Sequence, residues 1–232
     1  MGDNRVLVLL SGGRDSLLSV CLCIEQGYHI VPAICNNGHI EGIDRAQFAV
    51  GCLQKRYGME IVDNLTYFNT GMTFYTYMQQ EWYRKSDDRL RKYPELQTYQ
   101  AHCLACKSAM YVHAIAFCKA NNIGTIADGM RENQGFFVDM PEMKSNFGNL
   151  CSDNGVHLIT PVYELSSDLE RKRRLCDRGL TTKTLEPQCF LGCPLMQSLS
   201  FEERKSLSSF YANEIAPWLQ KDINELLLSK RT

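Results

Sequence analysis

Two groups of residues in this sequence have the types and spacing to do chemistry. The first is Ser11-Gly12-Gly13-Arg14-Asp15-Ser16, entered from the apolar run 6–10 and left through Leu17-Leu18-Ser19-Val20 at helical spacing. Strand, glycine turn and helix in that order make an anion cradle. The two glycines let the backbone bend sharply and come close to a ligand, while the first amides of the helix have no partner within it and lie at its positive end. Ser11 and Ser16 add hydroxyl donors, and the lysine of a GxxxxGK[ST] phosphate loop has no counterpart here. The second group is four cysteines in two pairs. Cys103 and Cys106 stand at C-x-x-C spacing before Lys107, and Cys189 and Cys193 lie between Pro187 and Pro194, which pre-form a turn. Four thiolates suit tetrahedral Zn²⁺ or a [4Fe-4S] cluster, and a redox pair is the alternative for the C-x-x-C. With the following helix read over 108–120, the first pair falls at its N-terminus, where the dipole lowers a thiol pKa.

An alternation of strands and helices must position these groups. After the first helix, 30–35 reads as a buried strand that stops at Asn36-Asn37-Gly38. Helical spacing over 43–57 ends at Gly58, and 59–65 reads as the next strand. A strand over 124–127 runs into Asp128-Gly129, another over 156–160 into Pro161, and 166–176 reads as a helix carrying Arg171-Lys172-Arg173-Arg174. That basic run reads as a solvated face, with a hold on RNA or pyrophosphate as the alternative. The rhythm is that of a doubly wound parallel α/β sheet, whose ligands lie beyond the carboxyl ends of the strands. Asp128 is delivered to that crevice, and Gly129 lets the loop turn over a nucleotide. The stretch 71–94 is rich in aromatics and then in basic residues. It reads as an amphipathic helix in preference to a base-stacking surface, because Asp87 and Asp88 dilute the charge. The domain reading is an α/β unit over 1–165, with this insertion at about 71–100. A helical segment over 166–232 carries the cysteine loop 187–194 and breaks at Pro217.

Composition narrows the classes. The chain of 232 residues is 44% hydrophobic and 22% charged with a net charge of −1, which fits a globular domain and excludes a general nucleic-acid coat. No apolar run approaches the roughly 20 residues that cross a bilayer, and the first strand begins without a signal-peptide pattern, so a cytoplasmic protein is expected. Eleven cysteines, an odd number, point to metal or redox chemistry before a disulfide framework.

The loop Ser11 to Ser16 resembles the SGGxDS signature of the PP-loop ATP pyrophosphatase superfamily. C-x-x-C-K followed by Ala127-Asp128-Gly129 is similar to its sulfur-inserting branch, which includes tRNA thiolases and the sulfur transferase of nickel-pincer cofactor synthesis. Gly179-Leu180-Thr181-Thr182 lacks the proline of the latter's Gly-Leu-Pro-Thr. The likeness to 7-cyano-7-deazaguanine synthase is looser, since that enzyme's C-terminal zinc cluster supplies four cysteines and this chain has two there. The resemblance implies ATP and Mg²⁺ as cofactors. It gives phosphate contacts to Ser11, Gly12, Gly13, Arg14, Asp15 and Ser16, adenine and ribose contacts to Ala33, Ile34 and Cys35, and a nucleotide cover to Gly129. Catalytic roles fall to Asp15, to Asp128 as a Mg²⁺ or nucleotide contact, and to Lys107 and Arg131 as charge clamps. The implied reaction adenylates a substrate carbonyl oxygen, releases pyrophosphate, and then inserts sulfur into a tRNA base or a small precursor. A PP-loop ligase adding nitrogen, with a structural zinc, is the alternative; a nucleotide-binding regulatory module without turnover is the third. A sulfur-donor protein and a second copy of the chain complete the expected partners.

Overall fold

The computed structural model describes residues 4–38, 40–80, 91–94, 98–132, 137–183, 185, 188–189 and 199–229. Its centre is β1 (Arg5–Leu9), whose apolar side chains alternate between the two faces of a sheet. β1 pairs in parallel with β2 (His29–Asn36) in the register Val6↔Ile30 to Leu9↔Ala33. On its other side it pairs with β5 (Thr125–Asp128), from Val6↔Thr125 to Leu9↔Asp128. Beyond them lie β4 (Thr66–Asn69) and β6 (His157–Ile159), giving the all-parallel order β4-β2-β1-β5-β6. The doubly wound expectation holds. The chain winds outward through β2 and β4, returns to the middle at β5, and so reverses direction between β1 and β5.

Helices cover both faces. Val6, Val8, Ile30 and Ile34 pack with Leu18 of α1 (Arg14–Glu25), Val50 and Leu53 of α2 (Asp44–Tyr57) and Leu175 of α6 (Asp168–Asp177). Leu7, Leu9, Val31 and Ala33 belong to the opposite core. There they join Phe74 of α3 (Gly71–Gln79), Tyr111 and Val112 of α4 (Thr98–Ala120) and Phe147 of α5 (Pro141–Asp153). Leu207 and Phe210 of α7 (Phe201–Phe210) and Leu219 and Ile223 of α8 (Ala216–Ser229) complete it. Each such side chain, fully buried, contributes about 1.5–3 kcal/mol of transfer free energy, so the C-terminal helices are held by the same core as the sheet. A π-helical turn at Tyr211–Ile215 separates α7 from α8, and Pro217 begins the new helix where its missing N–H costs least.

Two expectations shift. The strand read over 59–65 is a turn with a single bridge, Ile30↔Val62, and the ladder resumes only at Thr66. Gly58 at φ +94° sends the chain into that turn. The helix read from residue 108 starts at Thr98, because no glycine or proline interrupts 98–120 and Leu104, Ala105, Ala109 and Val112 continue one buried stripe. Of the aromatic stretch, Phe74 and Tyr77 are buried as an amphipathic helix requires; Trp82, Tyr83, Arg84, Lys85 and Arg89 lie outside the described residues. A two-stranded antiparallel ladder joins β3 (Ile40–Glu41) to β7 (Gln188–Cys189).

Candidate active site

At the carboxyl ends of β1 and β5 a cavity of about 270 Å³ opens, lined by Ser11, Gly13, Asp15 and Ser16 on one side and by Asp128 and Gly129 on the other. The glycine turn performs as its residues require. Gly12 sits at φ +85°, and Gly13 is the N-cap of α1 without any side-chain cap, so the first-turn amides face the opening unprotected. Within the loop the Gly13 amide donates to Ser11 Oγ at 3.2 Å, and the Ser16 hydroxyl donates to the Gly13 carbonyl at 3.0 Å. Gly129 crosses directly over this turn: a Cβ there would stand 2.8 Å from the Ser16 nitrogen, which only glycine avoids. Ala33, Ile34 and Cys35 form a further wall of the cavity, and the Ala33 carbonyl accepts from the Leu10 amide at 2.8 Å.

Two ionic clusters flank the cavity. In the first, Asp15 stands between two arginines. Arg131 Nε donates to Asp15 Oδ2 at 2.7 Å, and Arg171 Nε lies 2.8 Å from Asp15 Oδ1 but off the N–H axis, a coulombic contact with no hydrogen bond. Arg171 also donates to the Leu165 and Ser166 carbonyls at 2.6 and 3.0 Å, and reaches Asp168, which pairs in turn with Arg14 at 2.9 Å. In the second, Lys107 stands between two carboxylates, 2.8 Å from Asp128 and 3.8 Å from Asp139. Asp128 further accepts from the Tyr111 hydroxyl at 2.8 Å and the Met130 amide at 3.1 Å. Burial opposes the charge on Lys107, but Asp128 and Asp139 outweigh it and hold the ammonium above its ordinary range. Lys107 and Arg131 are therefore already paired within the protein, and so are Asp15 and Asp128, the latter being the carboxylate that the resemblance offers to Mg²⁺. As placed, neither Asp15 nor Asp128 presents an open ligand pair.

The cysteines divide. Cys106 lines the cavity together with Cys35, and the Asn37 amide donates to its sulfur at 2.6 Å. Exposed Cys189 stands near enough to Cys106 for its charge to act on the Cys106 sulfur. Cys103 packs against the hydrophobic core, and Cys193 lies outside the described residues. Among the described residues no group of three or more His, Cys, Asp or Glu side chains could hold a metal ion, so the four-sulfur site is not assembled by them. Both members of the C-x-x-C lie inside α4, beyond its first turn, and the dipole argument for a low thiol pKa falls away. Burial and nearby Cys189 push the Cys106 thiol up to about 12, against the lowering pull of Asn37 and Lys107.

Sequence reasoning missed three residues of the site. Arg171 was hidden in a basic run that alternates faces; it alone of the four is buried, while Lys172 and Arg174 pair along the helix with Asp168 and Glu170. Asp139, in a short 3-10 turn, has no local sequence signal. Asn37 looked only like a turn residue, although its side chain is buried between Thr70, which donates to it, and Cys106.

Sheet order, a cavity at the topological switch and an uncapped glycine turn define a doubly wound α/β protein with an anion-binding crevice. Comparison with known proteins gives this class a finer resolution. No protein-family profile matches the chain. Over 164 residues it is 24% identical to a probable tRNA sulfurtransferase of Methanosarcina mazei, covering 71% of this chain and 33% of that one. Over 43 residues it is 49% identical to a tRNA(Ile)-lysidine synthase of Porphyromonas gingivalis, 18% of this chain and 9% of that one. The chain thus spans about a third or less of the curated relatives it matches. A 4-thiouridine synthetase solved in complex with RNA and ATP shares the fold at a TM-score of 0.60 and 14% identity, over 97% of this chain and 53% of that one. The likeness to the PP-loop ATP pyrophosphatase superfamily read from the loop therefore holds in sequence and in fold. Among the described residues no helix is long and apolar enough to cross a membrane.

Proposed function

We propose that this chain uses ATP to adenylate a carbonyl oxygen of a tRNA base, releasing pyrophosphate, and then replaces the adenylate with sulfur. The observation that carries this reading is that one cavity holds both the uncapped start of α1 and the Cys106 sulfur. In the first step the substrate oxygen attacks the α-phosphorus, and the bond from that phosphorus to the bridging oxygen breaks. Pyrophosphate leaves with the electron pair. Loop amides and the positive end of α1 stabilise the charge that gathers on it. In the second step sulfur attacks the activated carbon and AMP departs.

Cys106, which lines the cavity, is the residue placed to carry that sulfur as a persulfide loaded by a sulfur-donor protein. Attack by the terminal sulfur leaves the substrate joined to Cys106 through a disulfide. Cys189 then attacks the Cys106 sulfur, expels the thiolated base, and forms a Cys106–Cys189 disulfide that an external thiol reduces. No step is assigned to a metal centre. Incubation with α-labelled ATP, unmodified tRNA, a persulfide donor and a reducing thiol tests the reading: AMP, pyrophosphate and a thionucleoside are expected, and ADP would overturn it. The match to a tRNA(Ile)-lysidine synthase favours a second reading, in which nitrogen displaces AMP. A Cys106→Ser variant that still converts substrate would decide for nitrogen.

A further inference from the structure

We infer that Arg171, at the head of the basic run on α6, is a positioning residue of the anion-binding turn and acts through Asp15. The inference rests on the proposed role of that turn in holding the nucleotide phosphates. Asp15 lies in the first turn of α1 and lines the cavity, so its negative charge sits beside the place where phosphate oxygens would gather. A bare carboxylate there repels an anion. Two guanidiniums counter it: Arg131 from the loop after β5, bonded at 2.7 Å, and Arg171 from α6, with Nε at 2.8 Å.

Arg171 is built into this position. It is 3% exposed, and its remaining donors are fixed by the Leu165 and Ser166 carbonyls and by Asp168, so the guanidinium cannot turn away. A lysine could supply the charge without the fork that engages four acceptors at once. The same network reaches Arg14 through Asp168, tying the turn, the loop after β5 and α6 into one alternating chain of charges. Arg171 does not itself line the cavity; its effect on a ligand passes through the carboxylate it neutralises.

A double-substitution cycle on ligand affinity tests this, with calorimetric titration of ATP and of inorganic pyrophosphate. Arg171→Gln in the otherwise native chain is expected to weaken both ligands about tenfold, the scale of one charge-assisted contact. In the Asp15→Asn background, with no carboxylate left to neutralise, the same substitution is expected to change affinity by less than about threefold. A steady-state split is also expected, with KM for ATP rising and kcat changing little, and Arg171→Lys recovering only part of the loss. Thermal unfolding of all variants separates folding from function, because a merely structural arginine would lower Tm equally in both backgrounds and leave affinity alone. Additive losses, or unchanged affinity in a folded Arg171→Gln protein, would overturn the inference. So would a native chain that binds neither ATP nor pyrophosphate. ADP formation by a chain that binds ATP would remove the proposed reaction and leave the Arg171 coupling standing.

Discussion

The two ionic clusters beside the cavity are mirror images in charge. At the glycine turn one carboxylate, Asp15, stands between two guanidiniums; at the other wall one ammonium, Lys107, stands between Asp128 and Asp139. Each is a three-membered network of buried or half-buried ions, yet the first is left with net positive charge and the second with net negative charge. The field across the cavity therefore favours anionic groups on the α1 side over the β5 side. The contrast also shows why a residue type alone does not assign a role. Lysine and arginine near a phosphate site look like charge clamps in a sequence, but Lys107 is already matched by two acids and serves first to make their burial tolerable.

This contrast can be broken from its most buried end. Lys107→Met removes the cation that pairs with both Asp128 and Asp139. It is expected to cost about 3–5 kcal/mol of stability, measured by urea unfolding, because two buried carboxylates lose the positive charge they share. A loss below about 1 kcal/mol would show that the carboxylates find protons or water cheaply. Gly129→Ala drives a methyl against the Ser16 backbone and is expected to destabilise by about 1–3 kcal/mol while abolishing ATP binding, seen in paired melts with and without nucleotide. Arg131→Gln at the positive cluster should leave stability nearly intact and weaken ATP about tenfold, so affinity and stability separate the two networks. The smallest effects concern sulfur. With its thiol pushed up to about 12, Cys106 is almost entirely protonated at pH 8, and its alkylation rate should keep climbing as pH rises toward 12. Peptide mapping after iodoacetamide at pH 8 should therefore find exposed Cys189 labelled well before Cys106. Early labelling of Cys106 would show that a partner lowers its pKa.

How much of this was legible depends on how local each feature is. The anion turn is contiguous, and strand, glycines and helix all fall within residues 5–25, so a linear reading recovers its conformation, whereas the central place of β1 in the sheet emerges only from the strand order. The parallel order follows from alternating buried runs and helices for the same reason. What escaped the reading is assembled across distance. Arg171 acquires meaning only when α6 packs on α1 beside Asp15, and Asp139 only when its short turn meets α4. The C-x-x-C misled because its spacing drew the helix start to itself, whereas the uninterrupted stripe through Leu104 and Ala105 carries the helix back to Thr98. The nearness of Cys189 to Cys106 was expected only as part of a four-cysteine metal site. The ladder Ile40↔Cys189 that places the second sulfur has only two residues per strand, too short to signal itself.

One contact carries a consequence for how the chain matures. The Leu185 amide donates to the Gly12 carbonyl at 3.1 Å, so a segment from the last quarter of the polypeptide leans on a turn made near its beginning. On a ribosome the turn and its sheet emerge early, but this support cannot arrive until residue 185 has left the exit tunnel. A nascent chain stalled before that point would carry the glycine turn without its backbone prop from residue 185.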